Sequence, residues 1–256
     1  MFGSIAGDII GSVYEWDRIK TTEFPLFQSN SDYTDDSVLT IATAYSILNN
    51  IPYAQSYKDY GRKYPDRGYG GSFQDWLYSD SLQPYNSWGN GSAMRVSPLG
   101  FTYETIDEVL EHSKQSAEVT HNHPEGIKGA QATALTVFLA RKGKDKETIR
   151  KEISDRFRYN LNRTVAEIRP SYFFNESCQE TVPEAIIAFL DSDNFEHSIR
   201  LAVSLGGDSD TLACITGGIA EAYYKTIPEP IVEETKKRLP KEFVEIVVQF
   251  KERYFL

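Results

Sequence analysis

The chain has 256 residues, a formal net charge of −10 and a sequence pI near 5.0. A chain this acidic repels polyanions at long range, so general binding to nucleic acid is not expected. Its two cysteines, Cys178 and Cys214, are too few for a disulfide framework or a cysteine-based zinc site.

No apolar run approaches the roughly 20 residues that span a bilayer. The first 16 residues lack a basic start and are interrupted by three glycines, so they do not resemble a signal peptide. We therefore expect a cytoplasmic chain without a membrane partner. The absence of a linker or an internal repeat predicts a single domain over residues 1–256, and we expect a monomer.

Apolar residues recur at helical spacing through most of the chain. The segments that show this spacing are 38–48, 127–138, 149–157, 183–190, 195–205, 212–223 and 240–255. Gly143 is a plausible end for the second segment, and the sixth must end before Pro228 because proline cannot continue a helix. Strand signals are scarce, since Asn90-Gly91 lacks flanking alternating runs. The pattern predicts an all-α fold.

Two acidic segments stand directly before predicted helices. Such residues often cap free backbone N–H groups at a helix start, but one cap does not need two carboxylates. Carboxylate and hydroxyl oxygens suit magnesium or manganese better than zinc. We therefore expect the two segments to converge around metal, although they lie far apart in sequence. Their oxygen-bearing residues are Thr34, Asp35, Asp36, Asp208, Asp210 and Thr211.

Three other features are open to two interpretations each. The small residues from Ser87 to Arg95 would let backbone N–H groups approach a phosphate, or they form an ordinary surface turn. His121 and His123 could contact phosphate or ribose, or they belong to a polar entry into a helix at Pro124; no third zinc ligand is evident. Glu15 is either a buried acid or base, or a surface charge.

In their order along the chain, these segments resemble the ADP-ribosylglycohydrolase family, which includes the dinitrogenase-reductase-activating glycohydrolase. The resemblance covers nearly the whole chain. It rests on Gly7-Asp8 through Tyr14-Glu15, Thr34-Asp35-Asp36-Ser37, Gly68-Tyr69-Gly70, Gly89 through Arg95, Thr120-His121, Thr181 through Ala185, and Gly207 through Thr211.

The resemblance implies a compact, single-domain, orthogonal helical bundle with two metal ions, usually magnesium and in some members manganese. It implies that the six oxygen-bearing residues above are metal ligands and that Glu15 is a mobile active-site glutamate. Ser37 stands where many members have threonine and is not expected to bind metal. The residues that it implies for substrate binding are Ser87, Gly89, Asn90 and Gly91 in a diphosphate-contacting loop, Trp88 stacking on adenine, and His121 near the diphosphate.

The expected function is that of a metal-dependent hydrolase that releases ADP-ribose from a modified protein or small molecule. Glu15, Asp35 and Asp36 are expected to take part in catalysis, with Glu15 acting as acid, base or gate. The acceptor, whether arginine, serine, a nucleic-acid end or a small molecule, is left open. Two alternatives are a metal-dependent phosphohydrolase that cuts the diphosphate, and a binding protein without activity.

Overall fold

The computed structural model describes residues 1–254, which form α-helices and no β-sheet. No helix in this part of the chain has the length and apolar character that crossing a membrane requires. A 3-10 turn, Ser12–Tyr14, follows the first helix. The helices are α1 (Phe2–Gly11), α2 (Asp35–Asn49), α3 (Tyr53–Lys63), α4 (Gly71–Tyr78), α5 (Gly91–Met94), α6 (Ser97–Thr102), α7 (Ile106–Glu118), α8 (Pro124–Arg141), α9 (Lys146–Phe157), α10 (Val165–Ile168), α11 (Cys178–Leu190), α12 (Phe195–Val203), α13 (Ser209–Tyr224), α14 (Glu229–Arg238) and α15 (Lys241–Tyr254).

The all-α prediction is confirmed. The seven predicted segments correspond to α2, α8, α9, α11, α12, α13 and α15, with Phe255 outside the described residues. Gly143 follows α8 with a φ of 73°, and α13 ends at Tyr224, before Pro228. Helix α11 begins at Cys178, upstream of the predicted start, so Pro183 lies inside it.

The periodicity analysis missed α1, because its three glycines weaken the helical signal. Gly3, Gly7 and Gly11 all face α13 at very short range. A Cβ atom at Gly7 would lie 2.0 Å from the Ala213 carbonyl oxygen, and one at Gly217 would lie 2.1 Å from the Gly3 carbonyl oxygen. The Gly217-Gly218 pair therefore lies where α13 contacts α1.

The order of these contacts shows that α1 and α13 run antiparallel. Gly3 faces Gly217 in the middle of α13, whereas Gly11 faces Ser209 at its beginning. Helices α8, α11 and α12 also pack against α13, which is buried from Ser209 through Ala220. The end of α1 and the start of α13 consequently lie together. Glu15 follows α1 closely, and Asp208 and Asp210 stand at the start of α13.

Replacing Gly7 with alanine should destabilise the fold. Alanine favours a helix by about 1 kcal/mol over glycine, but its methyl group would overlap the α13 backbone, which cannot move aside as a side chain can. We expect a net loss of about 3 kcal/mol or more in the free energy of unfolding, measured by urea denaturation. Gly71→Ala is the matched control, because no atom lies within 4 Å of its added Cβ. Equal stability of the two variants would contradict the packing described here.

Candidate active site

A cavity of about 240 Å³ opens where α1, α2 and α13 meet. Within the described part of the chain its walls carry six acidic side chains and one basic side chain, that of Arg95. The acidic residues are Glu15, Asp35, Asp36, Glu176, Asp208 and Asp210. The two acidic segments that are distant in sequence therefore lie together in one cavity.

The first acidic segment is held by a hydrogen-bonded turn at the start of α2. The Thr34 hydroxyl accepts from the Asp36 amide at 3.3 Å, so Thr34 caps the helix, and it donates to Asp8 at 2.7 Å. The Ser37 hydroxyl donates to the same Asp8 carboxylate. Asp35 and Asp36 occupy the first helical turn and line the cavity.

The second segment does not serve as a simple cap. Asp208 precedes α13 but makes no capping hydrogen bond, and its carboxylate accepts from the Asn90 side-chain amide at 2.7 Å. The Thr211 hydroxyl donates to Asp36 at 3.2 Å, which joins α13 directly to α2. The capping interpretation thus explains Thr34 and leaves Asp208 for another role.

The six carboxylates outnumber the one arginine in the described part of the cavity wall. Desolvation, and next the nearby charge of Asp210, raise the pKa of Asp35, Asp36 and Asp208. The Asp36 Oδ1 atom is buried without a hydrogen-bond partner among the described residues. A divalent cation would relieve this repulsion, and hard oxygen donors are the ligands it prefers. The residues present therefore fit a metal ion.

Glu15 lies in this acidic cluster, directly after the 3-10 turn. One of its carboxylate oxygens is within 4.8 Å of oxygens of both Asp208 and Asp210. Desolvation, Asp210 and Glu176 raise its pKa to about 8. A bound cation would act in the opposite direction, because it stabilises the carboxylate. The half-buried Glu15 is thus part of the cavity wall rather than an isolated surface charge.

The loop before α5 contributes four of the predicted substrate-binding residues, Ser87, Gly89, Asn90 and Gly91, to the cavity wall. Two of its backbone N–H groups already have acceptors: Gly89 donates to Ser87 Oγ at 3.0 Å, and Asn90 donates to the Glu176 carbonyl at 2.7 Å. The Asn90 side chain also holds a predicted metal ligand, Asp208, a link that the sequence did not reveal.

The two histidines differ in position. His121 lines the cavity, whereas His123 caps α8 by accepting from the Glu125 amide at 3.1 Å. Trp88 is 53% exposed, lies outside the cavity wall, and has its ring 5.5 Å from that of His123. Its stacking on adenine stays a prediction. The aromatic rings in the wall belong to Tyr85 and Phe73, which the sequence analysis did not identify.

Asp8 is a further residue that the motif analysis did not assign to the site. It is fully buried and accepts hydrogen bonds from the backbone and hydroxyl groups of both Thr34 and Ser37. The signal in the sequence was an aspartate in the middle of the glycine-rich, apolar first helix. Asp8 fixes the turn that presents Asp35 and Asp36.

Changing Asn90 to aspartate should destabilise the protein without metal. The new carboxylate would replace the donor that Asp208 uses and would place a like charge beside it. We expect a loss of at least about 1–3 kcal/mol in the free energy of unfolding, measured at neutral pH with chelator present. Asn162→Asp makes the same change at an exposed position and should cost about 0.5 kcal/mol or less. If the two variants are equally stable, the Asn90–Asp208 hydrogen bond does not contribute to the stability of the protein.

Comparison with known proteins extends these observations over the whole chain. ADP-ribosylhydrolase ARH3 of Xenopus tropicalis is 26% identical over 300 residues, which span 88% of this chain and 85% of that protein. ADP-ribosylarginine hydrolase Tri1 of Pseudomonas putida is 29% identical over 142 residues, 53% of this chain and 38% of that protein.

A solved structure described as an ADP-ribosylglycohydrolase-related protein complex shares the fold. It matches with a TM-score of 0.76 at 22% identity and covers 98% of this chain and 96% of that chain. The family model for ADP-ribosylglycohydrolase matches residues 1–254. The chain therefore belongs to the ADP-ribosylglycohydrolase family and is a hydrolase of glycosidic bonds to ADP-ribose.

Proposed function

We propose that the chain binds two divalent cations, magnesium or manganese, and uses them to release ADP-ribose from a modified acceptor. The proposed ligands are Thr34, Asp35, Asp36, Asp208, Asp210 and Thr211. The observation that carries this proposal is the meeting of the two acidic helix starts, which the hydrogen bond from Thr211 to Asp36 joins at 3.2 Å. Four carboxylates this close require compensating positive charge.

The hydroxyl groups in this set support the proposal. Thr34 donates its hydrogen to Asp8, and Thr211 donates its hydrogen to Asp36. Each hydroxyl oxygen therefore keeps at least one lone pair for a cation, since within residues 1–254 Thr34 accepts only from the Asp36 amide. Asp8 would thus orient a ligand without being one.

The chemistry follows from the bond that is cleaved. Glycosidic cleavage develops positive charge on the ribose, and the carboxylates around the cavity stabilise such charge. Bound cations would orient the ribose hydroxyls and make a water molecule more nucleophilic. Glu15 can give a proton to the leaving group or take one from water, because its carboxyl group faces the same space as Asp208 and Asp210.

The charges in the wall favour a cationic acceptor. Glu15 and Glu176 remain negative sites in addition to the four proposed carboxylate ligands. The guanidinium of an arginine side chain would be attracted there. Arginine is also the acceptor in the name of the Pseudomonas putida relative, so we propose an arginine-linked substrate.

The direct test is incubation of the purified protein with arginine-linked and serine-linked ADP-ribosyl peptides. We expect release of ADP-ribose from the arginine-linked peptide, loss of activity with EDTA, and recovery with magnesium or manganese. Chromatography of the products separates the alternatives, because AMP indicates cleavage of the diphosphate and no product indicates a binding protein. Full activity after complete chelation would overturn the metal proposal, and faster serine release would overturn the acceptor.

A second test separates the roles of Asp36 and Glu15. Asp36→Asn removes an anionic ligand, so metal affinity should fall together with turnover. Glu15→Gln keeps the size and hydrogen-bonding capacity but cannot transfer a proton, so turnover should fall by about 10²-fold or more. We expect Glu15→Gln to bind metal and ADP-ribose nearly as the wild type does. The measurements are metal titration by calorimetry and steady-state kinetics.

Two outcomes would change these assignments. If Glu15→Gln loses metal as severely as Asp36→Asn, Glu15 is a ligand, which its position within 4.8 Å of Asp208 and Asp210 oxygens would explain. If Glu15→Gln keeps full turnover, its carboxyl group has no part in proton transfer.

A further inference from the structure

Arg95 is a buried cation in the wall of the cavity. Its side chain is 0% exposed, and its guanidinium lies 4.3 Å from the centre of the Tyr57 ring. Nη2 donates to the Ser116 carbonyl at 2.8 Å and to the Thr120 hydroxyl at 3.0 Å. Its Nε and Nη1 atoms have no hydrogen-bond partner among the described residues. A charge buried at this cost requires a function or a strong structural reason.

The hydrogen bond from Arg95 to Thr120 bears on the direction of the hydrogen bond between Thr120 and His121. The Thr120 oxygen accepts from Arg95 and lies 2.7 Å from His121 Nδ1. A hydroxyl has one hydrogen, and a guanidinium can only donate. Since Arg95 occupies one lone pair of the Thr120 oxygen, the Thr120 hydrogen is available to Nδ1, and Nδ1 accepts it in the arrangement proposed below. A neutral imidazole that accepts at Nδ1 carries its own hydrogen on Nε2.

Tyr85 also lies beside Thr120. Its oxygen can accept the Thr120 hydrogen in place of Nδ1, or its own hydrogen can be donated to the second lone pair of the Thr120 oxygen. The second arrangement leaves the Thr120 hydrogen for Nδ1. Desolvation and the Arg95 charge both lower the pKa of His121, so the ring remains neutral. A neutral ring is what a hydrogen bond accepted at Nδ1 requires.

The Nε2 atom of His121 faces the glycine loop of the cavity. A Cβ atom at Gly91 would lie 3.2 Å from Nε2, and one at Gly89 would lie 3.6 Å from it. Side chains at these two positions would crowd the ring, so glycine leaves the Nε2–H group open to the cavity. His121 itself is only 5% exposed, so the residues packed around it fix the orientation of its ring.

The charge of the cavity explains why a neutral donor is needed here. Six carboxylates line it, and Arg95 is the one basic side chain in the described part of its wall. Two divalent cations would not neutralise six carboxylates, so a diphosphate entering the cavity meets no excess of positive charge. Directed N–H groups must supply its recognition.

We propose that Arg95 is a positioning residue that acts through Thr120 to hold His121 as the Nε2–H tautomer, which donates to the diphosphate of the substrate. The tautomer assignment rests on the contacts of Thr120 and on the position of Nε2, whereas its use in binding rests on the function proposed above. The inference gives the buried arginine and Thr120 a role in substrate binding that neither performs by direct contact.

The test uses Thr120→Val, which keeps the shape of threonine but has no hydroxyl, with Thr120→Ser as its matched control. Long-range ¹H–¹⁵N NMR spectra of the histidine rings distinguish the two tautomers. We expect His121 to carry its hydrogen on Nε2 in the wild type and in Thr120→Ser, and to become a mixture of tautomers in Thr120→Val. Tyr85→Phe should keep the wild-type tautomer, because the Thr120 hydrogen is directed to His121.

Calorimetry with ADP-ribose gives the second measurement. Loss of one directed hydrogen bond should weaken binding by about 2- to 10-fold in Thr120→Val, and Thr120→Ser should restore it. Magnesium affinity should not change, because Thr120 contacts no proposed ligand. A generally destabilised variant would instead lose both.

Three results would overturn the inference: an Nδ1–H tautomer in the wild type, an unchanged tautomer in Thr120→Val, or wild-type affinity for ADP-ribose in that variant. Failure of the wild type itself to bind ADP-ribose is a different outcome, since it contradicts the proposed function. Arg95→Met removes the guanidinium directly and should reproduce the Thr120→Val spectrum. If Arg95→Met does not fold, the Thr120 pair still decides the question.

Discussion

The backbone contact between α1 and α13 is the constraint on which the site depends. Glycines on both helices allow carbonyl groups to approach where any side chain would collide, as at Gly7 and Gly217. Because the helices are antiparallel, this contact brings the end of α1 to the start of α13. Asp8 and Glu15 on one side, and Asp208 and Asp210 on the other, are placed together as a consequence. The helix propensity lost at each glycine is the cost of this geometry.

The same geometry places mutually repelling carboxylates close together, and the fold does not neutralise all of them. Neutral hydrogen-bond donors stabilise some of these carboxylates, since Asn90 donates to Asp208, and Thr34 and Ser37 donate to Asp8. Asp36 still has a buried oxygen without a partner among residues 1–254. Cation binding would therefore stabilise the folded chain as well as enable chemistry, because the unfolded chain holds no such cluster.

The cavity has two chemically distinct ends. One end is a cluster of carboxylates, where the bond is cleaved in the proposed function. The other is formed by the uncharged residues of the 87–91 segment and by His121, which Thr120 links to the buried charge of Arg95. The Asn90 side chain joins the two ends by reaching from the loop to Asp208. In the proposed function, this division would let one small cavity accept both a reacting sugar and a diphosphate.

The sequence alone determined the helical class, since seven periodic segments correspond to seven helices, and it marked the two acidic helix starts as one site. It could not reveal α1 as a helix, because the glycines that weaken the local signal are required only by a partner 200 residues away. The roles of Asp8, Asn90 and Tyr85 were hidden for the same reason: their partners are remote in sequence. It left Glu15 open between surface and cavity, and only tertiary packing placed its carboxyl group beside Asp208 and Asp210. Periodicity reports which face of a segment is buried, whereas the partner of a buried polar group is decided by which helices pack together.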